Sequence, residues 1–134
     1  KFSNLPVISD DSGICIKALG NQPGIYSARW AKKHGSFLNA MKYILRKMKI
    51  KKDRSATFVC SLSFKYPKKK IITVIGKIKG KISYKIRGIR GFGYDPIFIP
   101  RSKTFTFGEM SKFKKIKMDH RYIAFQKLKK KTKI

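Results

Sequence analysis

The chain has 134 residues, 42% hydrophobic and 13% aromatic, and carries 34 Lys and Arg against 6 Asp and Glu for a formal net charge of +28. That length suits one domain that buries about two thirds of the surface its unfolded form exposes, and 42% hydrophobic residues are enough for a core. No apolar run approaches the roughly 20 residues of a membrane helix, and the N-terminus shows no basic segment followed by an apolar stretch, which excludes a membrane span and points to a cytoplasmic protein.

In chain order, LPVIS at 5–9 and GICIKALG at 13–20 are predicted strands, the first a short apolar run and the second alternating apolar and polar residues. Between them, SDDSG at 9–13 sets two of the six acids side by side. Adjacent carboxylates repel, so the pair needs a local reason. Two readings stand: a turn joining the strands, since Asp, Ser and Gly are turn formers, and a metal or catalytic pair.

NQPGIYSARW at 21–30 has Pro and Gly punctuation and then a helical segment from about Tyr26. From Ser36, a plausible N-cap, SFLNAMKYILRKMK places Phe37, Met41, Ile44, Leu45 and Met48 on one face of an amphipathic helix. ATFVCSLSFKYP at 56–67 and IITVIGKIKGKISYKI at 71–86 predict two or three antiparallel strands, with Pro67 and a Lys run at the first turn and Gly80 near the second. MDHRYIAFQKLKKK at 118–131 predicts a last helix capped by Asp119 and carrying Ile123, Phe125 and Leu128. Cys15 and Cys60 lack CxxC spacing and read as reduced thiols at strand positions. The sum is a strand-rich α/β domain with neither repeat nor linker.

Most of the charge reads as solvated surface. Of the 34 cations 27 are Lys, spread over nearly every segment in blocks such as KKDR at 51–54, KKK at 68–70 and KLKKKTK at 127–133. Reading phosphates or bases bidentately favours Arg. A basic nucleic-acid-binding module without catalysis is the alternative reading, and incidental nucleic-acid binding fits either.

The acids are more informative. Besides Asp10, Asp11 and the turn residue Asp53, they fall in RGFGYDPIF at 90–98 and in TFGEMSKFKKIKMDHR at 106–121. In the first, flanking glycines let backbone approach a planar ligand while Phe92 or Tyr94 stacks and Asp95 accepts from its edge; a tight turn with core aromatics is the plainer reading. The second brings Glu109, Lys115, His120 and Arg121 toward a helix start, a natural place for a phosphate or a purine carbonyl.

SDDSG, then PGIYSARWA, GFGYDPIF, and TFGEM leading to HR, in this order, resemble the inosine triphosphate pyrophosphatase family over about 5–128. The resemblance implies an elongated mixed β-sheet with flanking helices, two lobes around a nucleotide cleft, and a homodimer. It implies hydrolysis of ITP, dITP or XTP with Mg²⁺ to the monophosphate and pyrophosphate. By the same resemblance Asp11 is metal ligand and proton acceptor, Asp10 an auxiliary carboxylate beside the metal, and Ser12 a substrate contact. Phe92, Gly93, Tyr94 and Asp95 match the base-binding loop, with Phe92 stacking on the purine. Lys115 matches a base-contacting lysine, and His120 with Arg121 a pair that recognises purine carbonyls. Cationic donors would then favour a C6 keto group over the amino group of adenine. Modified pyrimidine nucleotides, the substrates of related enzymes, are a second possible class.

Two departures accompany the resemblance. Asp119 stands where the family usually has Ser, and both residues cap helices. The family also begins with a strand, an (S/T)xNxxK phosphate-binding loop and a metal-binding Glu, none of which is in this sequence. The expectation is therefore that residues 1–134 form a single domain corresponding to the C-terminal portion of such an enzyme, inactive or nearly so alone.

Overall fold

The structure is a computed structural model that describes residues 4–132; Lys1 and Lys133, the latter in the last Lys run, lie outside them. Five strands form one sheet in the order β2-β1-β3-β4-β5. They are β1 (Val7–Ile16), β2 (Gln22–Pro23), β3 (Ser55–Lys65), β4 (Ile72–Ile82) and β5 (Phe98–Pro100). All four pairings are antiparallel, so any parallel pair of a mixed sheet is not among these strands. The helices are α1 (Ser27–His34), α2 (Phe37–Met48), α3 (Lys112–Lys115) and α4 (His120–Thr132).

β1 runs without a break through both aspartates, in register with β3 from Val7↔Lys65 to Ile16↔Ala56. The expected turn at SDDSG is therefore absent, because a continuous ladder outweighs the local turn preference of Asp, Ser and Gly. Gly13 has a different use: a Cβ there would collide with the Gly24 carbonyl. The expected second turn near Gly80 is also absent. Gly80 pairs with Ala56 on one side and Pro100 on the other, and it lacks a side chain because Ile99 and Phe98 press against it.

Alternation along β3 buries Ala56, Phe58, Cys60, Leu62 and Phe64 on one face. Against that face pack α2, through Ala40, Met41, Ile44 and Met48, and α4, through Ala124 and Leu128. Ser36 caps α2 as expected, its hydroxyl accepting from Asn39 N at 3.0 Å. In α4 the contact residues differ from expectation: Phe125 is exposed, Ile123 half-buried, and Ala124 fully buried. The helix lies so close to β4 that a Cβ on Gly76 would strike backbone atoms of His120 and Ala124, so glycine alone fits between them without a shift. On the opposite face Thr73, Ile75, Lys77, Lys79 and Lys81 of β4 are exposed.

The KKDR block is not wholly solvated. Arg54 is buried and donates to the carbonyls of Ile82, Met48 and Ser83 at 2.8, 3.0 and 2.7 Å, which satisfies its charge by backbone dipoles. Both cysteines are free, Cys15 in β1 and Cys60 in β3. Among the described residues no helix is long and apolar enough to cross a membrane.

Candidate active site

Successive residues of a strand face opposite sides of the sheet, so Asp10 and Asp11 diverge. Asp10 turns to the helix-bearing side. Its Oδ2 accepts from Arg121 Nε at 2.7 Å, and its Oδ1 from the Ser12 hydroxyl at 2.6 Å and the Cys60 thiol at 3.4 Å. Partial burial would raise the Asp10 carboxyl, but the bonds from Ser12 and Arg121, with the arginine's charge, outweigh it and hold the group below the usual carboxylate range. The Cys60 thiol beside it is pushed up to about 11, chiefly by burial, so it is not a thiolate nucleophile. Asp11, paired in register with Ser61, is exposed, and its side chain makes no hydrogen bond or ion pair among the described residues.

The loop from Gly91 to Asp95 is shaped by two glycines at positive φ, 81° and 62° for Gly91 and Gly93. At Gly91 a Cβ would also meet the Asp95 carboxylate, whose Oδ2 accepts from Phe92 N at 2.7 Å and closes the loop. Phe92 is thereby presented outward at 62% exposure, its ring edge-on to Phe37 at 5.4 Å. Tyr94 points inward instead. Its hydroxyl donates to Ser27 O at 2.5 Å, and burial pushes its pKa up to about 12. Of the two stacking candidates, then, only Phe92 is free to stack.

Asp95 and Lys115 are also turned inward. Lys115 Nζ lies 2.7 Å from Asp95 Oδ2 and 3.6 Å from Asp119 Oδ2, with all three side chains under a tenth exposed. Burial raises the Asp95 carboxyl, opposed but not overcome by the Lys115 ammonium and the Phe92 N–H. Asp119 Oδ1 in turn accepts from Tyr122 N at 2.8 Å and caps α4. This chain of contacts joins the Phe92 loop to the start of α4. Both side-chain contacts described for Asp95, with Phe92 N and Lys115 Nζ, go to Oδ2, so the expected acceptance from a ligand edge is left to Oδ1.

At the start of α4, His120 stacks on Phe58, 4.8 Å between centroids, and its buried Nδ1 has no hydrogen-bond partner. Burial pushes its pKa down to about 4. It is therefore neutral near pH 7, and of the expected cationic pair only Arg121 carries charge. Arg121 reaches from Asp10 to Phe92, its guanidinium carbon 5.7 Å from the ring centroid. Glu109 lies elsewhere: it caps the turn at Phe107–Glu109 and pairs with Arg87 at 3.0 Å.

A cavity of about 290 Å³ opens at the edge of β1, lined by Asp10, Asp11, Ser12, Phe92, Gly93, Tyr94, Asp95, His120 and Arg121 together with Ser27, Phe37 and Phe58. Nine of the ten expected site residues thus meet in one place. The tenth, Lys115, lines the neighbouring groove with Phe92 and Arg121. Among the described residues no group of three or more His, Cys, Asp or Glu is arranged to hold a metal ion. An ion that keeps its waters and shares phosphate ligands needs only one or two carboxylates, which Asp11 can supply.

Residues 1–131 match the model of the Ham1 family. The chain belongs to the Ham1 family. It is 43% identical over 130 residues to a dITP/XTP pyrophosphatase of Caulobacter vibrioides, covering 96% of this chain and 67% of that protein. A dITP/XTP pyrophosphatase of Clostridium tetani is 40% identical, with 95% and 63% covered. The Ham1 protein of Staphylococcus aureus superposes with a TM-score of 0.90 at 37% identity, covering 97% of this chain and 68% of that one. The chain thus spans about two thirds of the length of the relatives it matches.

The cavity is also lined by Gly13, Ile14, Ser27, Ala28, Phe37 and Phe58, to which the resemblance assigns no role. Ser27 donates to Gly24 O at 2.7 Å and accepts from Ile14 N at 3.0 Å, tying the PGIYS turn to β1. Its signal was present, since PGIYSARWA belongs to the ordered motif set. Phe37 and Phe58 carried none, being indistinguishable in sequence from core aromatics.

Proposed function

We propose that the protein carries the base site and the metal-binding carboxylate for hydrolysis of purine nucleoside triphosphates bearing a C6 keto group, ITP, dITP and XTP, to the monophosphate and pyrophosphate, with Mg²⁺ as cofactor. The observation that carries the reading is the placing of the acids. Asp10, Asp53, Asp95, Glu109 and Asp119 each have a cationic partner, whereas Asp11, in a chain of +28, has none among the described residues and stands at the cavity. A carboxylate left free amid 34 cations suits a divalent ion. The family and the names of its relatives support the same chemistry.

In this reading Phe92 stacks on the base, the free N–H groups of Arg121 meet its keto oxygens, and the orphaned His120 Nδ1 gains a partner. Asp11 would hold Mg²⁺, and the ion would supply charge neutralisation and polarisation at the phosphoryl group. An Asp11 oxygen takes the proton of the attacking water as its oxygen bonds to the α-phosphorus and the bond to the bridging oxygen breaks, releasing pyrophosphate. Such proton acceptance contributes about 10² to 10⁴ in rate. Because phosphates and base face opposite sides of β1, the nucleotide crosses the strand's edge at the cavity.

Calorimetric titration of ITP, XTP and ATP, with and without Mg²⁺ and alongside pyrophosphate release, tests this. ITP and XTP should bind ahead of ATP, and Mg²⁺ should strengthen binding in the native protein but not in Asp11→Asn. Equal affinity for ATP, or an undiminished Mg²⁺ effect in the variant, would refute the reading.

One observation favours polyanion binding as a second reading. A depression of about 740 Å³ at the far end of the sheet is lined by Lys17, Lys79, Lys81, Arg101 and Lys103 and by no acid. Affinity for random oligonucleotides that falls steeply with salt and survives Asp11→Asn would support it.

A further inference from the structure

We propose that Asp10 is a positioning residue for Arg121, setting which base the site accepts; this rests on the nucleotide reading above. The geometry is specific. Asp10 Oδ2 takes the Arg121 Nε–H at 2.7 Å, while its other oxygen is held by Ser12 and Cys60 at 2.6 and 3.4 Å. Those two holders face each other across the β1–β3 ladder, Ser12↔Cys60, so the carboxylate is fixed by the sheet itself. A contact spanning 111 residues thereby pins a long side chain that is still 40% exposed.

A guanidinium has five N–H donors in a rigid planar fork. With Nε–H committed to Asp10, the four on the terminal nitrogens have no partner among the described residues, and the fork lies beside the Phe92 ring. Asp10 therefore selects one orientation of the fork, in which donors point where a keto-bearing base stacked on Phe92 would present acceptors. Without it the side chain would sample rotamers that meet an amino group as readily as a keto group. Asp10 acts through Arg121 and need not touch the phosphates, which separates it from its neighbour Asp11.

The test is the ratio of ITP to ATP affinity in the native protein, Asp10→Ala, Arg121→Ala and the double variant. The ratio should fall ~10- to 100-fold in Asp10→Ala. Arg121→Ala should match it, and the double variant should be no worse than Arg121→Ala alone, the non-additivity of residues acting as a unit. Asp10→Asn, which keeps an acceptor for Nε–H, should recover most of the ratio. Should Asp10→Ala fail to fold, Asp10→Ser replaces it, since a hydroxymethyl is too short to reach Nε. A native protein that discriminates while Asp10→Ala discriminates equally well would overturn this proposal and leave the nucleotide reading intact. A native protein without discrimination would overturn both.

Discussion

The Asp95–Lys115–Asp119 cluster and the outer face of β4 draw on the same Lys-rich composition and put it to opposite use. In the cluster one ammonium is buried between two carboxylates, at 2.7 and 3.6 Å. On β4, Lys77, Lys79 and Lys81 stand exposed at alternate positions with no ion pair among the described residues. Only in the first setting does removing a charge leave others stranded in a poorly solvated place. The net charge of +28 therefore says little about stability; the few carboxylates mark where charge is structural.

Lys115→Met is the most direct way to break the contrast. It leaves Asp95 and Asp119 buried without a cation and should cost about 3–5 kcal/mol in urea unfolding at neutral pH. The sign of its pH dependence follows from Asp95, which burial already holds above its ordinary pKa. As pH falls that carboxyl takes up a proton in the folded state, so the penalty should shrink in acid. A loss below about 1 kcal/mol would show that the cluster is dispensable.

His120, packed beside the cluster, gives a second effect. Burial lowers its pKa from 6.5 to about 4. Above about pH 6.5 folded and unfolded chains are both neutral there; below it the unfolded chain takes a proton that the folded one refuses until about pH 4. Stability should drop across that window by up to ~3 kcal/mol, and His120→Gln should flatten the slope. The smaller third effect tests how α4 is seated. Gly76→Ala inserts a methyl against the backbone of His120 and Ala124 and should cost about 1–3 kcal/mol, with weaker ITP binding because Arg121 moves with the helix.

These residues also mark what was legible in the sequence. β3 and the first part of β4, α2 with its Ser36 cap, and the start of α4 follow from alternation, helical spacing and capping chemistry, all of them local, whereas the short β2 and β5 carry no such pattern. The ordered motifs found nine of the residues around the cavity. The continuation of β1 through Asp10 and Asp11 was not legible, because pairing with β3 some fifty residues away decides it. Nor was the inward turn of Tyr94, Asp95 and Lys115, since FGYD reads the same whether its aromatics face a ligand or the core. The neutrality of His120 depends on burial against Phe58, a contact that spacing does not encode.

The smallest expected change in stability sharpens the contrast from the other side. Lys79 and Lys81 project from the outer face into the basic depression and share no carboxylate with any described neighbour. Replacing both with Met removes two solvated charges and strands none, so stability should stay within about 0.5 kcal/mol of the native protein. If the depression binds polyanions, the same variant should lower the slope of log K against log salt for duplex DNA by about 1.8, two phosphate contacts at ~0.9 each. An unchanged slope with unchanged stability would mean that these lysines serve only to keep the surface hydrated. Loss of ITP discrimination in this variant would instead couple the outer face to the Phe92–Arg121 site, a link that no contact between them explains.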